Sequence, residues 1–225
     1  MRLLRLEAPA GFDFAAGQYL EVVHPEGRIP LSIASGPWRL PEVHLHYRST
    51  PGITEAQWMD ALLASGNDLE IAGPSGTIRL LPPLTGPLVI VSGGTGGAQA
   101  LSLIDTLTKA PPDWPVGFLW CADDEYSLYL RDELTAMDLP WLRCEFIVDA
   151  SRSSDNRAMA RLGALAPGFS SLLEPFAGGK IDLPKPQVLL GGSPGFVYAV
   201  TDLLANAGVQ PAQMRSDVYD YAPRN

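Results

Sequence analysis

The sequence predicts two domains, a small antiparallel β-barrel followed by an α/β domain with a doubly wound parallel sheet. Three observations carry this prediction. The first third holds several short strand-like runs separated by turn residues, which is typical of a small barrel. A stretch rich in proline and glycine at residues 81–87 then indicates a boundary. Beyond it, strand and helix patterns alternate, as in a parallel sheet covered on both faces. We therefore expect a barrel over residues 1–83 and the α/β domain over residues 84–225.

The barrel strands are predicted at residues 18–24, 29–35, 43–48 and 68–72. The third is the clearest, because Val43, Leu45 and Tyr47 alternate with polar residues along one face. One short helix is predicted over residues 54–63.

The α/β domain has five predicted strands and three notable helices. The strands are at residues 88–91, 116–120, 142–148, 187–190 and 217–219, and the helices at 98–108, 128–137 and 196–207.

The first strand of this domain leads into the turn Gly93-Gly94-Thr95-Gly96, which opens a helix. Glycine permits positive φ and lets a phosphate approach the backbone. The N–H groups and the dipole of the following helix then favour an anion. The alternative is a turn that is glycine-rich only because it packs tightly. A second such turn, Gly191-Gly192-Ser193-Pro194, follows a later strand, and both are expected at the carboxyl edge of the sheet, where ligands bind.

Composition excludes several classes of function. The net charge of −9 argues against nucleic acid and against an anionic membrane surface as partners. Cys121 and Cys144 are isolated, without the spacing of a zinc or iron–sulfur site. His44 and His46 share a strand face but lack a convincing third ligand, so no metal is expected. No apolar run has the length of a signal peptide or a membrane span, and the expected location is the cytoplasm.

Six segments, in order and at sensible spacing, are similar to motifs of the ferredoxin–NADP reductase superfamily. The closest likeness is to NAD(P)H:flavin reductases and the reductase components of oxygenases. The segments are residues 17–20, 30–35, 73–76, 93–96, 191–194 and 216–221. The resemblance implies a flavin (FAD, FMN or free flavin) on the barrel and NADH or NADPH on the α/β domain. It implies hydride transfer from the nicotinamide to the flavin, with onward transfer to an unidentified acceptor, for which a redox partner protein is possible.

The resemblance also implies roles for residues of the barrel. Ser32 would make the polar contact at flavin N5, together with backbone groups of Leu31 and Ile33; the alternative is an ordinary strand serine. Gly52 and Thr54 stand at a predicted helix start. There, either free N–H groups would hold flavin phosphate or Thr54 would cap the helix.

The dinucleotide would lie at the two glycine turns of the α/β domain. The residues concerned are Gly93, Gly94, Thr95, Gly96, Gly192, Ser193 and Pro194. Asp123 would accept hydrogen bonds from ribose hydroxyls and favour NADH, because a carboxylate repels a 2′-phosphate. Arg152 lies where some relatives hold that phosphate, so the two hints conflict. Tyr219 and Tyr221, on the predicted last strand, would cover the flavin ring or pack in the core.

Some positions depart from the family pattern. Ile29 stands where an arginine would neutralise flavin phosphate, and Arg28 is one residue away, on the opposite face of a regular strand. Leu31 replaces the aromatic residue and Gly191 the cysteine. The first barrel strand is expected to be absent or reduced. These departures favour a flavin that diffuses as a substrate, or, as an alternative function, a non-catalytic nucleotide-binding or regulatory relative.

Overall fold

The computed structural model describes residues 1–148, 162–164, 169, 173 and 185–224, which form a barrel-like part and an α/β part. Arg152 lies outside the described residues. Within the described ranges, no helix is long and apolar enough to cross a membrane.

The barrel-like part consists of two antiparallel sheets. Its strands are β1 (Arg2–Glu7), β2 (Tyr19–His24), β3 (Gly27–Ser32), β4 (Glu42–Tyr47) and β5 (Ile71–Ser75). One sheet pairs β1 with β4, and the other has the order β3-β2-β5. An isolated bridge between Ile33 and Leu45 connects the two sheets. Helix α1 (Thr54–Ser65) closes one end, where Met59 is fully buried against Val22 and Tyr47.

Two expectations for the barrel are wrong. Strand β1 is present rather than absent, since it pairs with β4 over six residues; Leu4 and Leu6 alternate with charged residues and pack on the barrel core. Strand β5 begins three residues later than predicted. Helix α1 ends at Gly66, whose φ is +67°, and Leu69 still packs with the residues around α1, so the chain extends only after it.

The α/β part has a five-stranded parallel sheet. Its strands are β6 (Leu88–Gly93), β7 (Val116–Ala122), β8 (Leu142–Val148), β9 (Gln187–Gly191) and β10 (Met214–Arg215); its helices include α2 (Gly97–Lys109), α3 (Arg131–Ala136), α4 (Pro194–Asn206) and α5 (Val218–Tyr221). The order is β10-β9-β6-β7-β8, and every pair is parallel.

Successive residues of the central strands point to opposite faces, as a doubly wound sheet requires. Val89 and Val91 pack on the side of α4, whereas Leu88 and Ile90 pack on the side of α2. From β6 the sheet continues through β7 in one direction and through β9 in the other. The topological switch point therefore lies between β6 and β9, where open α/β sheets bind ligands at their carboxyl ends.

Two elements of the α/β part differ from the prediction. The predicted last strand is wrong: the pairing ends at Arg215 and residues 218–221 are helical. Val and Tyr favour strands, but the Ser216 hydroxyl accepts a hydrogen bond from the Val218 amide and the Asp217 carbonyl accepts those of Asp220 and Tyr221, which turns the chain. The helix predicted at 128–137 is shortened to Arg131–Ala136. A 3₁₀ helix, Glu125–Ser127, precedes it, and Asp124 caps that helix by accepting from the Ser127 amide at 2.7 Å.

The connection between the two parts runs from β5 to β6. Leu80 still pairs with Ala16 of the barrel, and the parallel sheet begins at Leu88. The predicted division between residues 83 and 84 falls inside this connection and stays a prediction.

Candidate site at the switch point

Both glycine turns lie side by side at the switch point. The ends of β6 and β9 are paired there through Ser92 and Gly191. A Cβ atom added to Gly96 would lie 2.6 Å from the carbonyl carbon of Gly191 and 2.6 Å from the amide nitrogen of Gly192. The two turns are therefore in backbone contact, and only glycine permits that approach.

The glycines of the first turn have different tasks. Gly96 and Gly97 serve packing, because a Cβ on Gly97 would lie 2.5 Å from the Trp120 ring. Gly94 is different: its φ is +52°, and a Cβ there would meet no atom within 4 Å. Thr95 is exposed beside it. The turn is thus tightly packed on its inner side and open at Gly94, so the two interpretations of the sequence describe different glycines of one turn.

The turn at Gly94 begins a helix that has no side-chain N-cap. Residues 94–96 form a 3₁₀ helix that runs into α2, and no side chain caps it. The first amides of a helix have no acceptor within it. Together with the helix dipole, such amides suit an anion such as a diphosphate.

Trp120, at the end of β7, supports this turn from below. The indole is fully buried, and its Nε1–H donates to the carbonyl oxygen of Gly94 at 2.8 Å. The ring of Tyr129 meets it edge-on, with centroids 5.1 Å apart. The sequence did not point to Trp120, because a tryptophan in a buried strand is first interpreted as core.

The second turn starts α4. Gly192 has a φ of +140°, the Ser193 hydroxyl accepts the Phe196 amide at 3.4 Å, and Pro194 is in the first turn of the helix. The ring of Phe196 covers the strand end, since a Cβ on Gly93 would lie 2.7 Å from it. The Phe196 ring therefore occupies part of the space between the two glycine turns, next to the turn at residues 191–194.

Two further polar groups mark this edge of the sheet. Asp123 follows β7 and is exposed, so its carboxylate is available to hydroxyl groups of a ligand. Ser92 is 1% exposed, and its hydroxyl has no hydrogen-bond partner among the described residues. Buried hydroxyls are generally paired with protein, water or ligand, so Ser92 is a place where such a partner is expected.

The three residues predicted around flavin N5 separate onto two faces of β3. Ser32 is half-buried and lies opposite Tyr19, on the outer face of the sheet. The side chains of Leu31 and Ile33 point inward and pack in the barrel core. The Ile33 amide donates to the Gln18 carbonyl at 3.0 Å, which removes it from the candidate donors.

Arg28 shares the outer face with Ser32. Its guanidinium pairs with Glu21 at 2.9 Å and is 57% exposed. Ile29 is buried with Val22, so no ligand phosphate approaches its side chain. A cation on this strand is therefore available only at Arg28.

The start of α1 is open to solvent. Gly52 has a φ of +83° with free space around it, and residues 51–55 are exposed. Thr54 is the first helical residue rather than the cap. The cap position is Ile53, and no side chain accepts the amides of the first turn. Capping by Thr54 is thus wrong, and the N–H groups remain available to an anion.

The two tyrosines near the end of the chain lie on helix α5, so their expected alternation on a strand is wrong. Tyr219 packs against helix α4, with its hydroxyl 2.7 Å from that of Thr201 and its ring against Tyr198. Tyr221 is 58% exposed. Burial raises the pKa of Tyr221, and the nearby charges of Asp217 and Tyr19 raise it further. Of the two tyrosines, Tyr221 is the exposed one.

A buried polar network fixes the barrel to the α/β part. Asp217 accepts hydrogen bonds from the amides of Thr77 and Ile78, at 2.6 and 3.1 Å, and from the side chain of Gln99 at 3.0 Å. Gln99, on α2, also donates to the Gly17 carbonyl at 2.6 Å. One carboxylate thus joins the end of the barrel, the helix after the glycine turn and the last part of the chain.

A second set of contacts joins α2 to the barrel further along. Asp105 accepts from the Gly36 amide at 2.7 Å and forms a two-pronged pair with Arg39, and the Ser102 hydroxyl donates to the Ser35 carbonyl at 2.7 Å. These contacts follow the predicted flavin strand directly. They fix the position of that strand relative to α2 and to the glycine turn from which α2 starts.

His46 makes a third connection. It is 7% exposed, and its Nδ1 lies 2.7 Å from the hydroxyl of Tyr129. Burial lowers the pKa of His46 to about 4 and raises the pKa of Tyr129, so both are neutral at pH 7. His44 instead pairs with Glu42 at 2.5 Å. Among the described residues, no three His, Cys, Asp or Glu side chains form a group that would hold a metal.

Comparisons with known proteins show which proteins this chain is similar to. The chain is 30% identical over 228 residues to the reductase component 1 of terephthalate 1,2-dioxygenase from Comamonas sp, an alignment that covers 98% of the chain and 64% of that protein. It is 31% identical over 151 residues to the NAD(P)H-flavin reductase of Vibrio harveyi, covering 64% of the chain and 63% of the relative. No family model matches the chain.

The same architecture is found in solved structures. A ferredoxin NADP+ reductase from Neisseria gonorrhoeae with bound FAD and NADP superposes with a TM-score of 0.70 at 19% identity, over 95% of this chain and 90% of that one. This likeness concerns the fold. The curated relatives are longer, and the chain spans less than two thirds of their length.

Proposed function

Because the chain belongs to the ferredoxin–NADP reductase superfamily, we propose that it is an NAD(P)H-dependent flavin oxidoreductase. It binds NADH or NADPH at the switch point and a flavin (FAD, FMN or free flavin) against the outer face of β3. The electrons then pass to an acceptor that a redox partner or a further domain supplies. The cytoplasm as its location stays a prediction.

The single observation that carries the proposal is the turn at Gly94. A backbone with positive φ, an uncapped helix start and free space at the Cβ position together fit the diphosphate of a dinucleotide. Gly96 brings the second turn into contact, so the ligand meets two adjacent backbone loops. Asp123 is exposed at the same edge and suits ribose hydroxyls, which favours NADH over NADPH.

The barrel residues fit a flavin whose phosphate is weakly held or absent. Ser32 offers a hydroxyl beside Tyr19, which is the aromatic ring nearest to it along the paired strands. Two groups of the barrel-like part could bind a flavin phosphate: the uncapped amides at the start of α1 and the guanidinium of Arg28. Arg28 is already paired with Glu21. A flavin, when bound, accepts the hydride at its ring and carries the redox chemistry.

The protein's own contribution is alignment. Hydride transfer needs two flat rings in contact, not an acid–base pair. The Asp217 and Asp105 networks hold the barrel and the glycine turn in a fixed relation. Ser32 would orient the flavin by a hydrogen bond, and Phe196 would limit where the nicotinamide enters.

The test is NADH oxidation by the purified protein with riboflavin, FMN or FAD under anaerobic conditions, followed at 340 nm. We expect turnover with at least one flavin, and activity with riboflavin would indicate that no phosphate is needed. S32A is expected to lower kcat with little change in KM for NADH, whereas S49A, an exposed serine at the edge of the barrel, serves as its control. Absence of turnover with all three flavins refutes the proposal. Binding of NADH without flavin binding would leave the non-catalytic alternative.

A further inference from the structure

We infer that Trp120 is the positioning residue for the diphosphate of the bound dinucleotide, because its indole N–H fixes the orientation of the Gly94–Thr95 peptide. This inference rests on the proposed function, since it assigns a role within the same site. It adds a side chain on a neighbouring strand to a turn that otherwise acts through its backbone.

The argument starts from the peptide plane. In a trans peptide, the carbonyl and the following N–H point in opposite directions. The Gly94 carbonyl points inward, where it accepts from Trp120 Nε1 at 2.8 Å and also from the Gly97 amide. The N–H of Thr95 therefore points away from Trp120, and Thr95 itself is exposed.

This orientation needs a fixed anchor. Gly94 has a positive φ and lacks a side chain, so it has more backbone freedom than any other residue type. The indole supplies the restraint because it is itself immobile: it is fully buried and lies under Gly97, where an added Cβ would be 2.5 Å from the ring. Preorganised donors cost no reordering when an anion binds.

The anchor is in turn held from the barrel. Tyr129 meets the Trp120 ring edge-on at 5.1 Å, and the Tyr129 hydroxyl is bonded to His46 of β4 at 2.7 Å. All three residues are largely or fully buried. The conformation of the dinucleotide turn is thereby connected to the docking of the barrel domain.

The test removes the N–H donor and keeps the ring. In W120F we expect the Kd for ADP-ribose, the part of the dinucleotide that carries the diphosphate, to rise about tenfold by calorimetry, the value of one hydrogen bond. The KM for NADH should rise by a similar factor while kcat at saturating NADH stays within twofold. The matched control is W141F, a buried tryptophan of the same core at the opposite edge of the sheet, which should leave both values unchanged.

A second variant addresses loss of shape. Benzothienylalanine at position 120 has the outline of tryptophan but lacks the N–H, and it should weaken ADP-ribose binding as W120F does. Unchanged affinity in this variant overturns the inference. If the wild-type protein binds neither ADP-ribose nor NADH, the proposed function itself fails, and the two failures are therefore distinguishable.

Discussion

Alanine substitutions at Gly94 and Gly96 separate the packing task of the first glycine turn from its ligand-binding task. In G96A the new methyl group lies 2.6 Å from backbone atoms of Gly191 and Gly192, which cannot move aside by a side-chain rotation. To reach an ordinary contact of 3.4 Å, the two turns must separate by about 0.8 Å. Overpacking of this kind costs about 1–3 kcal/mol. For a chain of this size, that lowers Tm by about 2–4 °C for each kcal/mol.

In G94A the methyl group enters open space, so no contact is strained. The cost to stability is that of a left-handed backbone, about 1 kcal/mol. The effect on ligand affinity is larger, because the methyl group occupies the side from which a phosphate would approach. We expect the Kd for ADP-ribose to rise at least about tenfold, equivalent to 1.4 kcal/mol.

The assay pairs thermal unfolding with calorimetric titration of ADP-ribose. The control is G11A, because Gly11 also has a positive φ of +84° and free space, but lies in the barrel away from both turns. G11A should share the modest loss of stability and keep the wild-type affinity. The reasoning is refuted if G94A binds ADP-ribose as tightly as G11A, or if G96A melts at the wild-type temperature.

Three further outcomes are expected. D217A leaves the amides of Thr77 and Ile78 without their acceptor and removes one of the two acceptors of the buried Gln99 side chain. It should lower the free energy of unfolding in urea by about 3 kcal/mol, with D113A, at an exposed position, as the control. A loss below about 1 kcal/mol would contradict the role given to the carboxylate. The depressed pKa of His46, about 4 against an ordinary 6.5, means that the unfolded chain binds a proton at this residue more readily than the folded chain does. The contribution of His46 to the free energy of unfolding is therefore fully present above pH 6.5 and falls by at most about 3 kcal/mol as the pH drops to 4. H46N should flatten this pH dependence. D123S should raise the ratio of kcat/KM for NADPH to that for NADH by about tenfold, and an unchanged ratio would remove Asp123 from the ribose site.

Most of the fold follows from periodicity in the sequence. Strand β8 has the predicted bounds, and β2, β4, β6, β7 and β9 differ by one or two residues at their ends, because apolar runs and alternation report burial directly. Strand β3 begins two residues earlier and ends three residues earlier than predicted. The failures occur where side chains bond to the backbone or where contacts are distant. Residues 216–221 have strand-forming side chains, but Ser216 and Asp217 turn the chain. Strand β1 forms because β4 is available to pair with it, which no local pattern reveals.

The candidate site was predictable where the backbone creates it. Glycine-rich turns after two strands indicate the switch point, since the topology brings their ends together. The side chains that support the turns were not predictable: Trp120, Gln99 and His46 have polar atoms whose partners lie elsewhere in the fold. Only their placement in otherwise apolar runs was visible.

The bond between Asp217 and Thr77 spans 140 residues of chain. During synthesis, a ribosome will have released the whole barrel long before the carboxylate that clasps it emerges. The barrel's two sheets pair within residues 2–75 and can form before that carboxylate emerges. The part of their docking that Asp217 provides has to wait for residue 217, whereas the contacts of Asp105 and Tyr129 with the barrel are available earlier.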